Sequence, residues 1–225
     1  MTVKVKICGV RTPAILDAAV SSGADLVGLV FFAKSPRNLT IPEASALADA
    51  ARGRAQTVAV MVDPEDALID LVATDVRPDI LQLHGREGPE RVAAIKERTG
   101  LPVLKAVPVS DASDVVSASA YAGIADQILF DAKVPPGAAL PGGNGIAFDW
   151  RVLEAAQPPF ALSGGLDAGN VAEAIRLTGA SLVDVSSGVE TAPGEKDERL
   201  ISQFIQAVRS ANSQQRDRTQ HKKAS

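Results

Sequence analysis

Eight short runs rich in β-branched residues divide this chain at nearly even intervals. They are Val3–Cys8, Leu26–Phe31, Thr57–Val62, Ile80–His84, Val103–Val107, Gln127–Asp131, Phe160–Ser163 and Leu182–Ser186. Their ends fall 22 to 32 residues apart. Each interval has room for one strand, one helix and two short loops. Strict alternation repeated eight times is the pattern of a single α/β domain, a (β/α)8 TIM barrel, over residues 1–210. A length of 225 residues suits one such domain. The alternative is a doubly wound open sheet. That fold ordinarily shows a dinucleotide fingerprint after its first strand, and Cys8-Gly9-Val10-Arg11 is not one.

The intervening segments carry helix-end signals. Thr12-Pro13 supplies an N-cap and a proline for the first helical position, and Gly23 a C-cap. Thr40 and Glu43 have capping-box spacing before the Ala-rich stretch Ala44–Ala51. Pro64, Pro89 and Asp111 open the next three helices, and Gly100 and Gly179 close two others. From Asp197 to Ala211, Leu200, Ile201, Phe204, Ile205 and Val208 form one apolar stripe. After it, residues 211–225 are polar and lose the periodicity, which predicts a tail without fixed structure.

Composition removes several function classes. Aromatics are only 4%, too few for a stacking surface on single-stranded nucleic acid. Net charge is −4, and the tail's Arg216, Arg218, Lys222 and Lys223 leave the body more acidic still, which argues against a DNA-binding fold. One cysteine, Cys8, forbids an internal disulfide, and with only His84 and His221 beside it no soft metal site is expected. The start MTVKVKICGV lacks the apolar core of a signal peptide, and no run of 18 apolar residues occurs. A cytoplasmic protein that binds neither membrane nor nucleic acid is the expectation.

Side chains alternate across a strand, so residues two apart share a face. Lys6 and Cys8 share one face, Gln82 and His84 another, Gln127 and Asp131 a third, and Asp184 and Ser186 a fourth. Lys105 and Ser163 are expected to fit the same scheme. The opposite faces are wholly apolar and must pack on helices. The polar faces therefore point into the barrel, where they are costly unless they pair or bind something. Two loops exceed what the alternation needs, Phe32–Thr40 and Ala132–Asp149, and both follow strands, on the face where barrels keep their active sites.

Each residue also has a plainer reading. A lone cysteine at a strand end is most often a small core residue. His84 fits a structural hydrogen-bonding role at least as well as that of a base. Arg37 fits a solvated loop, and Lys6 and Lys105 fit interior counter-ions. The glycines of Ser163-Gly164-Gly165 and Ser186-Ser187-Gly188 fit tight turns. Both turns together, after strands 7 and 8, fit better the phosphate site common in such barrels, where backbone N–H groups approach the anion unobstructed.

Read in order, Lys6-Ile7-Cys8-Gly9, Ser35-Pro36-Arg37, Leu81-Gln82-Leu83-His84-Gly85, Asp131-Ala132-Lys133, Gly142-Gly143-Asn144-Gly145, Ser163-Gly164-Gly165-Leu166 and Asp184-Val185-Ser186-Ser187-Gly188-Val189-Glu190 form a specific set. Phe148-Asp149-Trp150, Pro193-Gly194 and Lys196-Asp197 extend it. With it the chain resembles the phosphoribosylanthranilate isomerase family of tryptophan biosynthesis. Ala132 and Asn144 stand where Ser and Thr are expected, and neither carries chemistry. The resemblance implies an Amadori rearrangement of N-(5-phosphoribosyl)anthranilate to 1-(2-carboxyphenylamino)-1-deoxyribulose 5-phosphate, with no cofactor and no metal.

It implies Cys8 as base and Asp131 as acid. It implies substrate binding by Arg37, Gln82, His84 and Asp184, with Arg37 on the anthranilate carboxylate. Phosphate would meet Gly164, Gly165, Ser186, Ser187 and Gly188. Lys6 would favour the thiolate, and Asp131, to hold its proton, would have its pKa raised by burial or by a carboxylate such as Asp184. The expected partner is the small phosphoribosyl substrate, with the chain a monomer or homodimer. The rivals are another phosphosugar barrel, such as the histidine-pathway aminoaldose isomerase or an indoleglycerol-phosphate synthase, and a non-catalytic phosphosugar-binding barrel. The first would be expected to carry Asp in place of Cys8, and the last would need neither Cys8 nor Asp131.

Overall fold

The computed structural model describes residues 2–133, 148–157 and 159–223. Most of the long loop after residue 132, including Gly142-Gly143-Asn144-Gly145, lies outside them. Eight parallel strands close into a barrel in sequence order: β1 Lys4–Cys8, β2 Leu26–Phe31, β3 Gln56–Met61, β4 Ile80–Leu83, β5 Val103–Val109, β6 Gln127–Ala132, β7 Ala161–Leu162 and β8 Leu182–Val185. The expected (β/α)8 architecture is therefore present.

The helices are α1 Pro13–Ser22, α2 Ile41–Ala51, α3 Asp66–Leu71, α4 Pro89–Thr99, α5 Ala112–Ser117, α6 Val171–Thr178 and α7 Glu198–Lys223. The sequence end signals work as read in most of them. Thr12 caps α1 and Gly23 ends it in the left-handed conformation. The Thr40–Glu43 capping box closes both of its bonds. Asp111 caps α5, and Gly100 and Gly179 end α4 and α6. Pro64 does not open α3, which starts two residues later behind Glu65. A π-type turn, Val72–Val76, extends α3. Among the described residues, the β6–β7 connection holds a 3-10 segment, Trp150–Ala155.

Alternation sorts the core into two layers. Val5, Ile7, Val27, Leu29, Ala59, Met61, Leu81, Leu83, Phe130 and Val183 lie between strands and helices. Cys8, Leu26, Val30, Val58, Val60, Leu104, Ala106, Leu129, Ala161 and Leu182 fill the barrel interior. Burying the Val, Leu, Ile, Met and Phe side chains among them stabilises the fold by roughly 1.5–3 kcal/mol each. The inner layer is the floor on which the polar mouth rests.

One expectation is overturned here. Leu104 and Ala106 take the interior positions of β5, so Lys105 between them points outward with Val103 and Val107. It is not an interior counter-ion. Its Nζ donates to Glu87 Oε2 at 2.7 Å and to the Gly85 carbonyl at 2.8 Å, buried beneath the loop after β4.

The N-terminal end of the barrel carries a repeated lock. Asp25, Asp79 and Asp126 each stand just before an even-numbered strand. Each accepts the backbone N–H of the preceding odd strand: Val5 at 2.8 Å, Thr57 at 2.7 Å and Val103 at 2.8 Å. Helix α7 closes the ring against α1 and α6. Its helical backbone runs to Lys223, past the end of the apolar stripe. Docking continues through Asn212, which is buried and exchanges hydrogen bonds with the Val3 backbone at 2.9 and 3.2 Å. The ordered body therefore reaches at least two residues beyond 210.

Candidate active site

Cys8 ends β1 and faces inward, 8% exposed. In the β1–β2 register it stands beside Gly28. A Cβ at position 28 would lie 2.9 Å from Cys8 Sγ, so the absence of a side chain there makes the space for the thiol. Below it, Lys6 Nζ donates to Asp184 Oδ2 at 2.8 Å, joining β1 to β8 in the barrel interior. Burial pushes the Cys8 thiol above its ordinary pKa; Lys6 and Lys196 oppose that, while Asp184 adds to it. Burial pulls the Lys6 ammonium down, but Asp184 and Cys8 more than offset it, and its pKa is raised. Lys6 thus favours the thiolate without overcoming desolvation.

Asp131 stands near the end of β6, three strands from β1 around the ring. It is 4% exposed. Its Oδ1 accepts the Ala132 N–H at 3.0 Å, and its Oδ2 lies 3.0 Å from His84 Nε2. His84 Nδ1 in turn lies 2.9 Å from Gln82 Nε2. With the Gln82 amide nitrogen donating to Nδ1, the donor of the ring is Nε2, aimed at Asp131. Gln82, His84 and Asp131 therefore form one line across the mouth. Asp184, one possible carboxylate neighbour for Asp131, is paired through its Oδ2 with Lys6. Asp184 Oδ1 and Gln82 Oε1 are buried acceptors with no hydrogen-bond partner among the described residues. Such groups are costly unless a ligand meets them.

Arg37, from the loop after β2, is buried rather than solvated. Its Nε and Nη2 donate to Glu190 at 2.8 and 2.7 Å, a bidentate pair. Its side chain runs over Gly9, where a Cβ would come within 2.6 Å of Arg37 Cδ. Desolvation works against the guanidinium charge, Glu190 and Cys8 work for it, and the pKa is raised. Glu190 and Lys196 lie on the hairpin after β8, β9 Glu190–Ala192 and β10 Glu195–Lys196. Burial raises the Glu190 carboxylate pKa, but Arg37 and Lys196 bring it below the ordinary value. Neither residue was singled out for a role from sequence. Their spacing marks no face or cap, and only the closed barrel brings them to Arg37.

The glycine turns after β7 and β8 are neighbours, because those strands pair. Gly164 has φ +91° and a Cβ there would strike the Ala132 backbone at 2.5 Å; Gly165 has φ +61°. Ser187–Val189 forms a single 3-10 turn, in the place of the short helix that barrel phosphate sites use. Ser186 is drawn elsewhere: its hydroxyl donates to the Cys8 carbonyl at 3.2 Å.

A closed eight-stranded barrel with a thiol, a His-bonded carboxylate and adjacent glycine turns at one mouth now invites comparison. The family model for N-(5'phosphoribosyl)anthranilate (PRA) isomerase matches residues 5–207. The chain belongs to the N-(5'-phosphoribosyl)anthranilate isomerase family. It is 54% identical to the N-(5'-phosphoribosyl)anthranilate isomerase of Brucella canis over 216 residues, 95% of this chain and 97% of that one. Among solved structures it is similar to phosphoribosyl anthranilate isomerase from Thermotoga maritima. That likeness has a TM-score of 0.84 and 37% identity, over 93% of this chain and 100% of that one. Another isomerase of the family was solved in complex with reduced 1-(o-carboxyphenylamino)-1-deoxyribulose 5-phosphate, with a TM-score of 0.81 and 35% identity over 93% of this chain and all of that one. The family match spans every residue of the site described above.

Proposed function

We propose that this mouth performs the family's reaction with Cys8 as base and Asp131 as acid. Family membership carries the activity itself: the chain isomerises N-(5'-phosphoribosyl)anthranilate, a step of tryptophan biosynthesis. The roles of the residues are our reading of the geometry. Asp131 delivers a proton to the furanose ring oxygen, the ring C1–O bond breaks, and the anthranilate nitrogen lone pair completes an imine. Cys8 then removes the C2 proton, and the resulting enolamine becomes the ketone when C1 takes up a proton. The redox change is internal to the sugar, so no hydride acceptor is consumed, and no Lewis acid is needed.

His84 donates to Asp131 Oδ2 and orients the carboxyl group, which as the acid carries the proton to be delivered. Gln82 fixes the imidazole. Asp184 Oδ1 accepts the anthranilate N–H, and Arg37, set in its plane by Glu190, meets the anthranilate carboxylate. The backbone N–H groups of Gly164, Gly165, Ser187 and Gly188 receive the phosphate. Ser186 supports that turn and Cys8 more than it supports the phosphate. A cytoplasmic setting fits a multiply charged substrate that does not cross a bilayer unaided. Among the described residues no helix is long and apolar enough to cross a membrane.

The observation that carries these roles is the buried thiol beside Gly28 facing a carboxylate already bonded to His84 across one mouth. Complementation tests the whole reading. Expression in a tryptophan auxotroph lacking this isomerase should restore growth without tryptophan, and exhaustive chelation should leave the purified enzyme active. Failure to restore growth with well-expressed protein would contradict it.

A further inference from the structure

The hairpin after β8 brings a second ammonium to the thiol, and the roles above leave it unused. The Lys196 side chain is 2% exposed. Its Nζ donates to Glu190 Oε1 at 2.9 Å and to the Ser186 carbonyl at 3.2 Å. The Ser186 hydroxyl donates to the Cys8 carbonyl, so Lys196 is tied to the strand end that carries the thiol. Glu190 also receives both Arg37 donors and the Gly194 N–H at 3.2 Å.

Among the described residues, the charged groups facing Cys8 include Lys6 on β1, Asp184 on β8, Arg37 after β2, and Lys196 with its partner Glu190 on the hairpin. Lys6 is matched by Asp184. Glu190 accepts from both Arg37 and Lys196. A buried lysine is expensive to keep charged, and a single shared carboxylate does not fully compensate it.

We propose that Lys196 is a positioning residue for the isomerisation, held by Ser186 and Glu190 where its charge supports the Cys8 thiolate. The proposal rests on Cys8 being the base. The electrostatics agree in direction: Lys196 draws the thiol pKa down, and the thiolate draws the lysine pKa up against the burial that lowers it.

The single cysteine makes the test direct. Alkylation by iodoacetamide, followed across pH, reads this thiol alone and needs no isomerase assay. Lys196→Met should move the alkylation midpoint up by about one pH unit, the lower end for a close charge partner. Turnover should fall about tenfold at fixed pH while KM changes little. Lys196→Arg should stay near wild type in both. If the methionine variant fails to fold, Lys196→Gln retains donors without charge and should show the same rise. An unmoved midpoint in a folded neutral variant, or an equal shift in Lys196→Arg, overturns the proposal. The base assignment is tested separately, by the turnover of Cys8→Ser.

Discussion

An alanine at position 28 would put its methyl carbon 2.9 Å from Cys8 Sγ and 3.0 Å from Cys8 Cα. No backbone strain enters, since this glycine is not in the left-handed region. The thiol must therefore shift. Gly28→Ala should cost between about 10- and 100-fold in turnover, because misplacement of a reacting group by a fraction of an ångström is felt directly. Its melting temperature should move little by comparison. Turnover near wild type would show that Cys8 tolerates displacement and is not the reacting group. The pH dependence belongs to the same residue. Burial raises the thiol pKa, so the thiolate fraction is small at neutral pH and grows as pH rises. Where proton abstraction limits the rate, turnover should climb through the ordinary thiol value of about 8.5. A profile already flat at neutral pH would contradict the raised value.

At the scale of elements, β5 shows what alternation can and cannot say. The strand reads Val-Leu-Lys-Ala-Val from Val103, apolar on both faces. Period two groups Lys105 with Val103 and Val107, but nothing in the strand says which group faces inward. In β1, β4, β6 and β8 one face is wholly apolar, and there the inward positions of Lys6, Cys8, Gln82, His84, Asp131 and Asp184 were legible. The Glu190–Lys196 hairpin was not, because its partners come from elements far apart in sequence. Gly28 carries a signal of its own, a glycine inside an otherwise packed strand. Lys105 supports the mouth from behind. Glu87 accepts from Lys105, from Asp63 N at 2.8 Å and from Gly85 N at 3.0 Å, next to His84. Lys105→Met should leave a buried carboxylate uncompensated and cost about 3–5 kcal/mol of stability. Adding Glu87→Gln should recover part of it. A loss of turnover with unchanged stability would instead place Lys105 inside the barrel.

At the scale of the whole molecule, the fold is held shut at the end opposite its chemistry. The three aspartate locks tie odd strands to even ones, and α7 brings Asn212 back to Val3. Where the ordered body ends is therefore a matter of hydrogen bonds as much as of apolar periodicity. Removing the chain after Ser213 should leave the melting temperature within about a degree of wild type. Removing it after Ala211 strands the Val3 N–H and carbonyl, at a cost of about 1–3 kcal/mol. Equal melting temperatures for the two truncations would show that the Asn212 contacts contribute nothing.

That closed frame serves to hold a thiol and a carboxylate three strands apart across one mouth, and variants of those two groups test the account most directly. Cys8→Ser and Asp131→Asn keep shape and remove, respectively, the base and the transferable proton. Turnover of the isomerisation and melting temperature should be measured for both. Turnover should fall by about 10²–10⁴-fold in each, with KM and melting temperature little changed. A Cys8→Ser enzyme that kept more than about a tenth of wild-type turnover would contradict the assignment, and a matching loss of stability with near-normal turnover would reduce both residues to core packing.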